Sequence, residues 1–252
     1  MERQEYKYLL PLSDLDVLRR MILPYVEQDS HADVRPFGEY TVRSLYLDTA
    51  ALDFYHDKLE GVQERMKIRI RVYNECTGRD SAFLEIKKKT GRVIDKHRAL
   101  LPYRNVEPLL RDGDVARHIP GDNGGGPCHE NASRFLFHVH TRSLRPCVTT
   151  IYEREAYFSR WDRAVRLTID KNLRFQPYGT ISRLFETNGV AYALPNQFVF
   201  ELKTNSGIPR WFRQILGRFD VVQEAVSKYV ICVYLRQERG NRYSRTIPTL
   251  WS

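Results

Sequence analysis

Three segments of the chain alternate charged and apolar residues with the period of a β-strand. Lys67–Val72 reads KIRIRV, Phe83–Lys87 reads FLEIK and Val199–Lys203 reads VFELK. Successive side chains of a strand point to opposite faces, so each segment presents one charged face and one apolar face. Arginine and lysine bind phosphoryl oxygens, and the guanidinium can do so with two contacts at once. These faces therefore predict a site for a phosphate-rich anion.

The same alternation recurs in segments spread over most of the chain. The further charged faces are Glu5 with Lys7, Tyr152 with Arg154, and Arg166 with Thr168 and Asp170. A solvated antiparallel sheet also alternates in this way, but these polar faces are almost entirely Arg, Lys and Glu. The recurrence favours a closed barrel with the charges inside and the apolar residues outside, under helices. Its carboxylates, Glu5, Glu85 and Glu201, offer the oxygen ligands that a hard cation prefers.

Helices and strands that could position these faces are visible in the sequence. A helix is predicted after Ser13, through Leu18 and Ile22, and two more over residues 209–217 and 222–236. Strands are predicted over residues 40–48, 65–73, 82–88, 93–100, 149–158, 164–169 and 197–203. Residues 118–131 contain three consecutive glycines and are predicted to be a flexible loop.

Composition limits the classes of protein and partner. With 252 residues, of which 42% are hydrophobic, the chain suits a single domain over 1–252. Its net charge of +9 predicts an anionic partner. Nucleic acid is disfavoured, because the arginines lie on strand faces and not along a basic helix. The four cysteines form no CxxC pair, and Met1–Lys7 lacks the apolar core of a signal peptide, so a cytoplasmic location is predicted.

The charged segments, taken in order, also resemble a known family. The segments are Arg3–Tyr8, Ser44–Thr49, Lys67–Tyr73, Phe83–Lys87, Tyr152–Arg154, Arg166–Asp170, Phe200–Lys203 and Ser227–Tyr229. Together they resemble the VTC domain of the CYTH, or triphosphate-tunnel-metalloenzyme, superfamily over nearly the whole chain. The resemblance implies an α+β fold in which an antiparallel eight-stranded β-barrel forms a tunnel with flanking helices.

The resemblance further implies polyphosphate synthesis from ATP with Mn²⁺ or Mg²⁺. The residues that it places in catalysis are Arg69, Arg71, Lys87, Arg154 and Arg166, and those that it places in phosphate binding are Lys7, Lys96, Lys203 and Lys228. Glu201 matches the metal ligand, and Glu85 and Glu5 are further candidates. Hydrolytic members of the superfamily begin with Glu-x-Glu-x-Lys, whereas this chain has Arg3 at the first position, which favours the VTC branch.

Two other functions remain open. If water replaces the phosphate chain as acceptor, the same site is an inorganic or nucleoside triphosphatase. Without turnover, it is a module that binds polyphosphate or inositol pyrophosphate. ATP and polyphosphate are the expected small-molecule partners, while a membrane-protein partner and the oligomeric state are left open.

Overall fold

The computed structural model of the chain describes residues 4–29, 38–91, 93–120 and 126–244. Arg3 and the first glycines of the predicted 118–131 loop lie outside the described residues. The described residues fold into two compact units. Unit 1 takes them from Met1–Val42, Ile151–Arg174 and Leu194–Ser227, and unit 2 from Arg43–Thr150, Phe175–Ala193 and Lys228–Ser252. The prediction of one domain over 1–252 stays a prediction.

The strands and helices alternate along the chain. The strands are β1 (Gln4–Pro11), β2 (Val26–Gln28), β3 (Glu39–Asp48), β4 (Glu64–Tyr73), β5 (Ser81–Thr90), β6 (Val93–Pro102), β7 (Arg145–Ser159), β8 (Arg166–Gln176), β9 (Ala191–Leu194) and β10 (Gln197–Thr204). The helices are α1 (Leu15–Ile22), α2 (Asp53–Leu59), α3 (Val106–Asp112), α4 (Val115–His118), α5 (Pro127–Thr141), α6 (Arg210–Leu216) and α7 (Lys228–Ser244).

Unit 1 is a sheet with helices on its apolar face. Its strand order is β1-β10-β8-β7, and β1 and β8 both run antiparallel to β10. Helix α1 buries Leu18 and Ile22, whose spacing of four residues places them on one side of the helix. Phe212 of α6 is fully buried and stacks on Phe200 of β10, with ring centroids 5.2 Å apart. Burial of these side chains leaves the charged residues of β10 on the other face of the sheet.

Unit 2 follows the same plan with different helices. Its strand order is β7-β3-β4-β5-β6, and β5 runs antiparallel to both β4 and β6. Ile68 and Ile86, which the alternation assigns to the apolar face, are buried with Phe135 of α5 and Leu109 of α3 in one core. A fully buried side chain of this size contributes about 1.5–3 kcal/mol through the hydrophobic effect, so α3 and α5 fix which face of the sheet stays polar.

The α+β class with an antiparallel sheet and flanking helices is confirmed. Strand β2 also pairs with β7 and β9 with β8, so the described residues form ten strands and not the eight predicted. The closure of a tunnel stays a prediction. Two element predictions are wrong. Residues from Pro127 onward form helix α5 and not a loop, and the last helix begins at Lys228 and not at residue 222.

Two simple observations concern the cysteines and the described helices. All four cysteines are free. No described helix combines the length and the apolar composition that a membrane crossing requires.

Candidate functional site

In unit 2 the pairing of three strands brings two arginines to one carboxylate. Arg69 of β4 lies opposite Glu85 of β5, and Glu85 lies opposite Arg98 of β6. Arg69 Nε donates to Glu85 Oε2 at 2.6 Å, and Arg98 Nε donates to Glu85 Oε1 at 2.8 Å. Both carboxylate oxygens therefore accept charge-assisted hydrogen bonds, and both guanidinium groups are fixed in orientation.

The neighbouring cations determine the pKa of Glu85. Only 2% of its side chain is exposed, and burial alone would raise its pKa. The charges of Arg69, Arg71 and Arg98 outweigh burial and hold the pKa of Glu85 well below its usual range. Glu85 is thus ionised, and guanidinium groups neutralise its charge. This arrangement suits a carboxylate that orients arginines better than one that binds a metal ion.

Arg69, Arg71 and Arg98, which all pair with Glu85, are called the arginine clamp here, and tyrosine and serine side chains of β3 hold the first two. Arg69 Nη1 donates to the hydroxyl oxygen of Tyr46 at 2.9 Å, and Arg71 Nε donates to Ser44 Oγ at 3.1 Å. Burial raises the pKa of Tyr46, but Arg69 and Arg71 lower it by more, so the net pKa lies below that of an ordinary tyrosine. The two arginines consequently present a positive surface whose geometry is set by neutral and acidic partners.

Helix α7 carries Lys228 into the same cluster. Lys228 begins the helix and contributes to the lowered pKa of Tyr46. The next residue, Tyr229, stacks on Tyr46 with ring centroids 4.7 Å apart. The Tyr229 hydroxyl donates to the buried carboxylate of Asp48, which also accepts from the backbone of α2 at Phe54. The anchored tyrosine thus fixes the start of α7 beside the arginine clamp.

The predicted lysines of β5 and β6 form the next row of the same face. Lys67, Lys87 and Lys96 occupy paired positions across β4, β5 and β6. Lys96 Nζ lies 3.9 Å from Glu85 Oε1. Burial lowers the pKa of Lys96, Glu85 raises it and Arg98 lowers it again, with a net pKa of about 8. Arg69, Arg71, Lys87, Lys96 and Lys228 are therefore brought together in unit 2.

In unit 1 two adjacent strands carry a mixed cluster of acids and lysines. Glu5 of β1 is paired with Lys203 of β10, and Lys7 is paired with Glu201. Lys7 Nζ lies 3.0 Å from Glu5 Oε1, and Lys203 Nζ lies 3.0 Å from Glu201 Oε1. Burial lowers the pKa of both lysines. The carboxylates of Glu201 and Glu5 reverse this for Lys7, whose pKa is raised, and only partly offset it for Lys203, whose pKa stays lowered.

The Glu201 carboxylate is a candidate metal ligand. It is buried, and its Oε1 accepts no hydrogen bond from the described residues; the contact with Lys203 is an ion pair without hydrogen-bond geometry. Thr168, the paired residue on β8, also has a buried Oγ1 without a hydrogen-bond partner in the described part of the chain. The Lys203 ammonium lies 3.0 Å from Glu201 Oε1, so a hard divalent cation at this carboxylate would share it with the lysine and could also take the Thr168 hydroxyl oxygen.

The donor set therefore fits Mn²⁺ or Mg²⁺ held by few protein ligands. Across residues 4–29, 38–91, 93–120 and 126–244, no three His, Cys, Asp or Glu side chains group closely enough to hold a metal ion. Mg²⁺ usually binds through one or two carboxylates and completes its shell with water and substrate phosphates. Glu201 meets this pattern best, whereas the oxygens of Glu85 are already occupied.

The remaining two predicted arginines are paired with aspartates in unit 1. Arg154 Nε and Nη2 donate to the two carboxylate oxygens of Asp170 at 2.5 and 2.7 Å, a bidentate pair. Burial lowers the pKa of Arg154, but Asp170 raises it by more, so the group stays charged. Arg166 Nη2 donates to Asp29 Oδ2 at 2.9 Å. Both guanidinium groups are thereby oriented before any ligand binds.

Sequence reasoning missed several members of these clusters. Arg98 follows Lys96 by two residues and so shares its strand face, a signal that the alternation alone could have supplied. Tyr46 lies in the Ser44–Thr49 segment, but the sequence pattern assigns it no role. Asp29 carried no signal, because it lies 137 residues from Arg166 and only the fold brings the two together.

Comparison with protein families assigns the chain to one of them. The sequence pattern of the VTC domain matches residues 2–235. The chain belongs to the VTC domain family. This places the arginine and lysine clusters of both units within the matched region.

Curated relatives and a solved structure extend the comparison. This VTC domain is 26% identical to vacuolar transporter chaperone complex subunit 4 of Trypanosoma brucei brucei. The aligned region covers 99% of the chain and 34% of that protein. It is 27% identical to the subunit 4 of Schizosaccharomyces pombe, over 68% of the chain and 26% of that protein. The domain thus matches between about a quarter and a third of the length of these relatives. HpAC1 from Hippeastrum, a protein with a dominant triphosphatase activity, matches the whole of both chains at a TM-score of 0.51 and 15% identity, which shows a shared fold.

Proposed function

We propose that this VTC domain transfers the γ-phosphoryl group of ATP to a growing polyphosphate chain, with Mn²⁺ or Mg²⁺ as cofactor. The observation that carries the proposal is the Arg69–Glu85–Arg98 row, in which two guanidinium groups are oriented in advance by one buried carboxylate. Membership of the VTC family supports the choice of polyphosphate as the product.

The reaction needs positioning and charge neutralisation more than covalent chemistry from the protein. A terminal oxygen of the phosphate chain attacks the γ-phosphorus of ATP in line, the bond from that phosphorus to the β–γ bridging oxygen breaks, and ADP leaves. Developing charge on the transferred group is stabilised by donors that are already in place. No side-chain nucleophile is required, which agrees with a cluster built from Arg, Lys and Glu.

Each cluster supplies a distinct part of this chemistry. In unit 2, Arg69 and Arg71 contact phosphoryl oxygens, and Lys87, Lys96 and Lys228 neutralise charge along the chain. In unit 1, the phosphate contacts come from Lys7, Lys203, Arg154 and Arg166. Glu201 would hold the metal, with Glu5 balancing the neighbouring lysine. When bound, the metal supplies Lewis-acid stabilisation of the phosphoryl oxygens.

The acceptor decides between polymerase, triphosphatase and binding module, so the products are the test. Incubation with ATP and Mn²⁺ should yield polyphosphate that is resolved as a ladder on a gel. Free phosphate as the sole product would move the assignment to a triphosphatase. Tight polyphosphate binding without ATP turnover under either metal would make the domain a binding module.

A substitution in the clamp ties the activity to the site. Arg69→Ala removes one bidentate phosphate contact and should weaken both polyphosphate binding and synthesis. Arg134, an exposed residue of α5, provides the control Arg134→Ala with the same loss of charge. Equal activity of the two variants would contradict the assignment of Arg69.

A protein partner is also part of the proposal. The curated relatives are named as subunits of a vacuolar transporter chaperone complex, which supports assembly of this chain with other subunits. Affinity purification from the native cell should recover such subunits. The cytoplasmic location of the chain, and its association with a membrane through a partner, stay predictions.

A further inference from the structure

Two segments of unit 1 share the pattern Arg-Trp-x-Arg and meet at the surface. Residues 160–163 lie in the connection between β7 and β8, and residues 210–213 begin α6. Trp161 lies edge-on to Tyr25, with ring centroids 5.9 Å apart, and Trp211 stacks on the same ring at 4.8 Å. Two tryptophans from distant parts of the chain therefore contact one tyrosine.

This aromatic cluster is anchored on one side and open to solvent on the other. Tyr25 and Trp211 pack against the apolar core of unit 1, and the backbone N–H of Arg160 donates to the carbonyl oxygen of Tyr25 at 3.1 Å. Trp161 is 69% exposed, and Leu23, which lies in the same turn as Tyr25, is 53% exposed. Because Tyr25 supports its ring, Trp161 loses little conformational freedom when a partner covers it. We call Leu23, Tyr25, Trp161 and Trp211 the aromatic patch.

Arginines accompany the aromatic patch. Five exposed arginines lie in the three segments that form it, residues 20–27, 160–163 and 210–213: Arg20, Arg160, Arg163, Arg210 and Arg213. The same segments contain two acidic residues, Glu27 and Asp162. The Nη1 atoms of Arg160 and Arg163 lie 3.6 and 3.9 Å from the exposed Glu27 carboxylate, so these pairs are loose. The surplus of arginine predicts an anionic partner for the patch.

The aromatic patch is separate from the phosphate site. Tyr25 and Trp211 pack on the core that buries Phe200 and Phe212 on the helix-covered face of the unit 1 sheet. Glu201 follows Phe200 on β10, so its carboxylate points to the opposite face. The patch residues therefore lie outside the chemistry proposed above.

Size and residue type decide between a protein and a lipid as the anionic partner. A stable protein interface uses about 20–30 residues on each side, whereas the aromatic patch is a cluster of four apolar side chains. A lipid surface needs fewer contacts, because tryptophan and tyrosine rings settle at the level of the headgroups. Each arginine near an anionic leaflet then strengthens binding about fivefold.

From these observations we infer that the aromatic patch docks unit 1 directly onto an anionic membrane surface. The rings of Trp161 and Leu23's side chain enter the headgroup region, and the neighbouring arginines contact lipid phosphates. The inference does not depend on the proposed function, because lipid and phosphate chain bind to different faces of the sheet. Such docking needs no protein partner.

Vesicle binding tests the inference with a matched pair of variants. Trp161→Ala/Arg160→Gln removes one ring and one charge from the aromatic patch and its surroundings. Tyr178→Ala/Arg134→Gln removes an exposed ring and an exposed charge from unit 2. Sedimentation with phosphatidylcholine vesicles, with and without phosphatidylserine, is measured for the wild type and both variants. Each measurement is repeated with saturating tripolyphosphate, which occupies the phosphate site.

The wild type should bind the vesicles that contain phosphatidylserine, with an affinity that falls as salt is added, and should not bind phosphatidylcholine alone. Trp161→Ala/Arg160→Gln should bind at least about tenfold more weakly, because it loses one interfacial ring and one charge. The control variant should bind like the wild type, and tripolyphosphate should leave vesicle binding in place. ATP turnover in solution and the melting temperature should stay near the wild-type values in both variants.

Several results would overturn the inference. Equal binding to both kinds of vesicle, or an equal loss in the control variant, would mean non-specific attraction. Undiminished binding of Trp161→Ala/Arg160→Gln, or loss of binding in tripolyphosphate, would place the lipid contact at another surface. A wild type that ignores vesicles but forms dimers that this variant separates would make the patch an interface between copies of the chain. Absence of ATP turnover in all three proteins would refute the proposed function and leave lipid docking untouched.

Discussion

Glu85→Gln is the substitution that best separates an organising carboxylate from a metal ligand. Glutamine keeps the shape and one carbonyl acceptor but removes the negative charge that Arg69 and Arg98 share. The three clamp guanidinium groups then repel one another without a counterion, and their orientation relaxes. We expect a less stable protein that still binds phosphate and metal but turns over more slowly.

The size of the effect follows from burial and exposure. Removing one partner of a buried ion pair costs about 3–5 kcal/mol. The side chains of Arg69 and Arg98 are 20% and 39% exposed, so water compensates part of the loss, and we expect a fall of about 2 kcal/mol in the free energy of unfolding. At this chain length that corresponds to about 4–8 °C in melting temperature.

Ligands should then distinguish the two roles of the carboxylate. Tripolyphosphate supplies the missing negative charge, so it should raise the melting temperature of Glu85→Gln by more than that of the wild type. Loss of guanidinium orientation should lower kcat by about tenfold to a hundredfold. Mn²⁺ affinity, measured by calorimetry or electron paramagnetic resonance, should not change.

The control lies on the same pair of strands. Glu64→Gln removes an exposed carboxylate that pairs with Lys88, and it should leave the melting temperature near that of the wild type. If Glu85→Gln weakens Mn²⁺ binding while its melting temperature and its response to tripolyphosphate match those of the wild type, Glu85 is a metal ligand and the reasoning fails.

Three further predictions concern single residues. Glu201→Gln removes the buried carboxylate charge and should abolish Mn²⁺-dependent turnover with little change in the circular dichroism spectrum; wild-type turnover in a Mn²⁺ titration would exclude Glu201 as the ligand. Lys96, with a pKa of about 8, loses its proton as the pH rises through that value, so polyphosphate affinity should fall between pH 7 and about 9.5, and Lys96→Arg should flatten the profile. Tyr229→Phe removes the hydrogen bond to buried Asp48 and should lower the free energy of unfolding by about 1–2 kcal/mol, measured by urea denaturation; an unchanged midpoint would show that the bond contributes nothing.

The charged faces of β4, β5 and β10 could be predicted because a strand's period of two is visible in the sequence. Lys67, Arg69 and Arg71 are separated by isoleucines, and burial of Ile68 and Ile70 in the core confirms the assignment of faces. What the pattern could not supply is register. Only the pairing of β5 with β6 shows that Arg98 meets Glu85, and that contact changes the interpretation of the carboxylate.

Helix α5 shows a different limit. Its first residue, Pro127, follows Gly126, and proline at the first position of a helix is a recognised start signal, but the preceding glycines favoured a loop. The helix buries Ala132, Phe135 and Leu136, a spacing typical of an amphipathic helix, among polar and histidine residues that weaken the pattern. Packing against the sheet, which a local pattern does not contain, is what stabilises it.

The run of three lysines in β5 has a consequence for how such a domain can change over generations. Deleting one residue ahead of Leu84 would move Glu85 into the hydrophobic core and Ile86 onto the charged face, because a shift of one exchanges the two sides of a strand. The lysines at 87, 88 and 89 would still offer positive charge on either side, but the packing and the contacts of Glu85 with Arg69 and Arg98 would both be lost. Selection should therefore tolerate exchange of lysine for arginine here and reject insertions and deletions, and a library of single-codon deletions should show β5 as a block of non-viable positions that ends at the turn after Thr90.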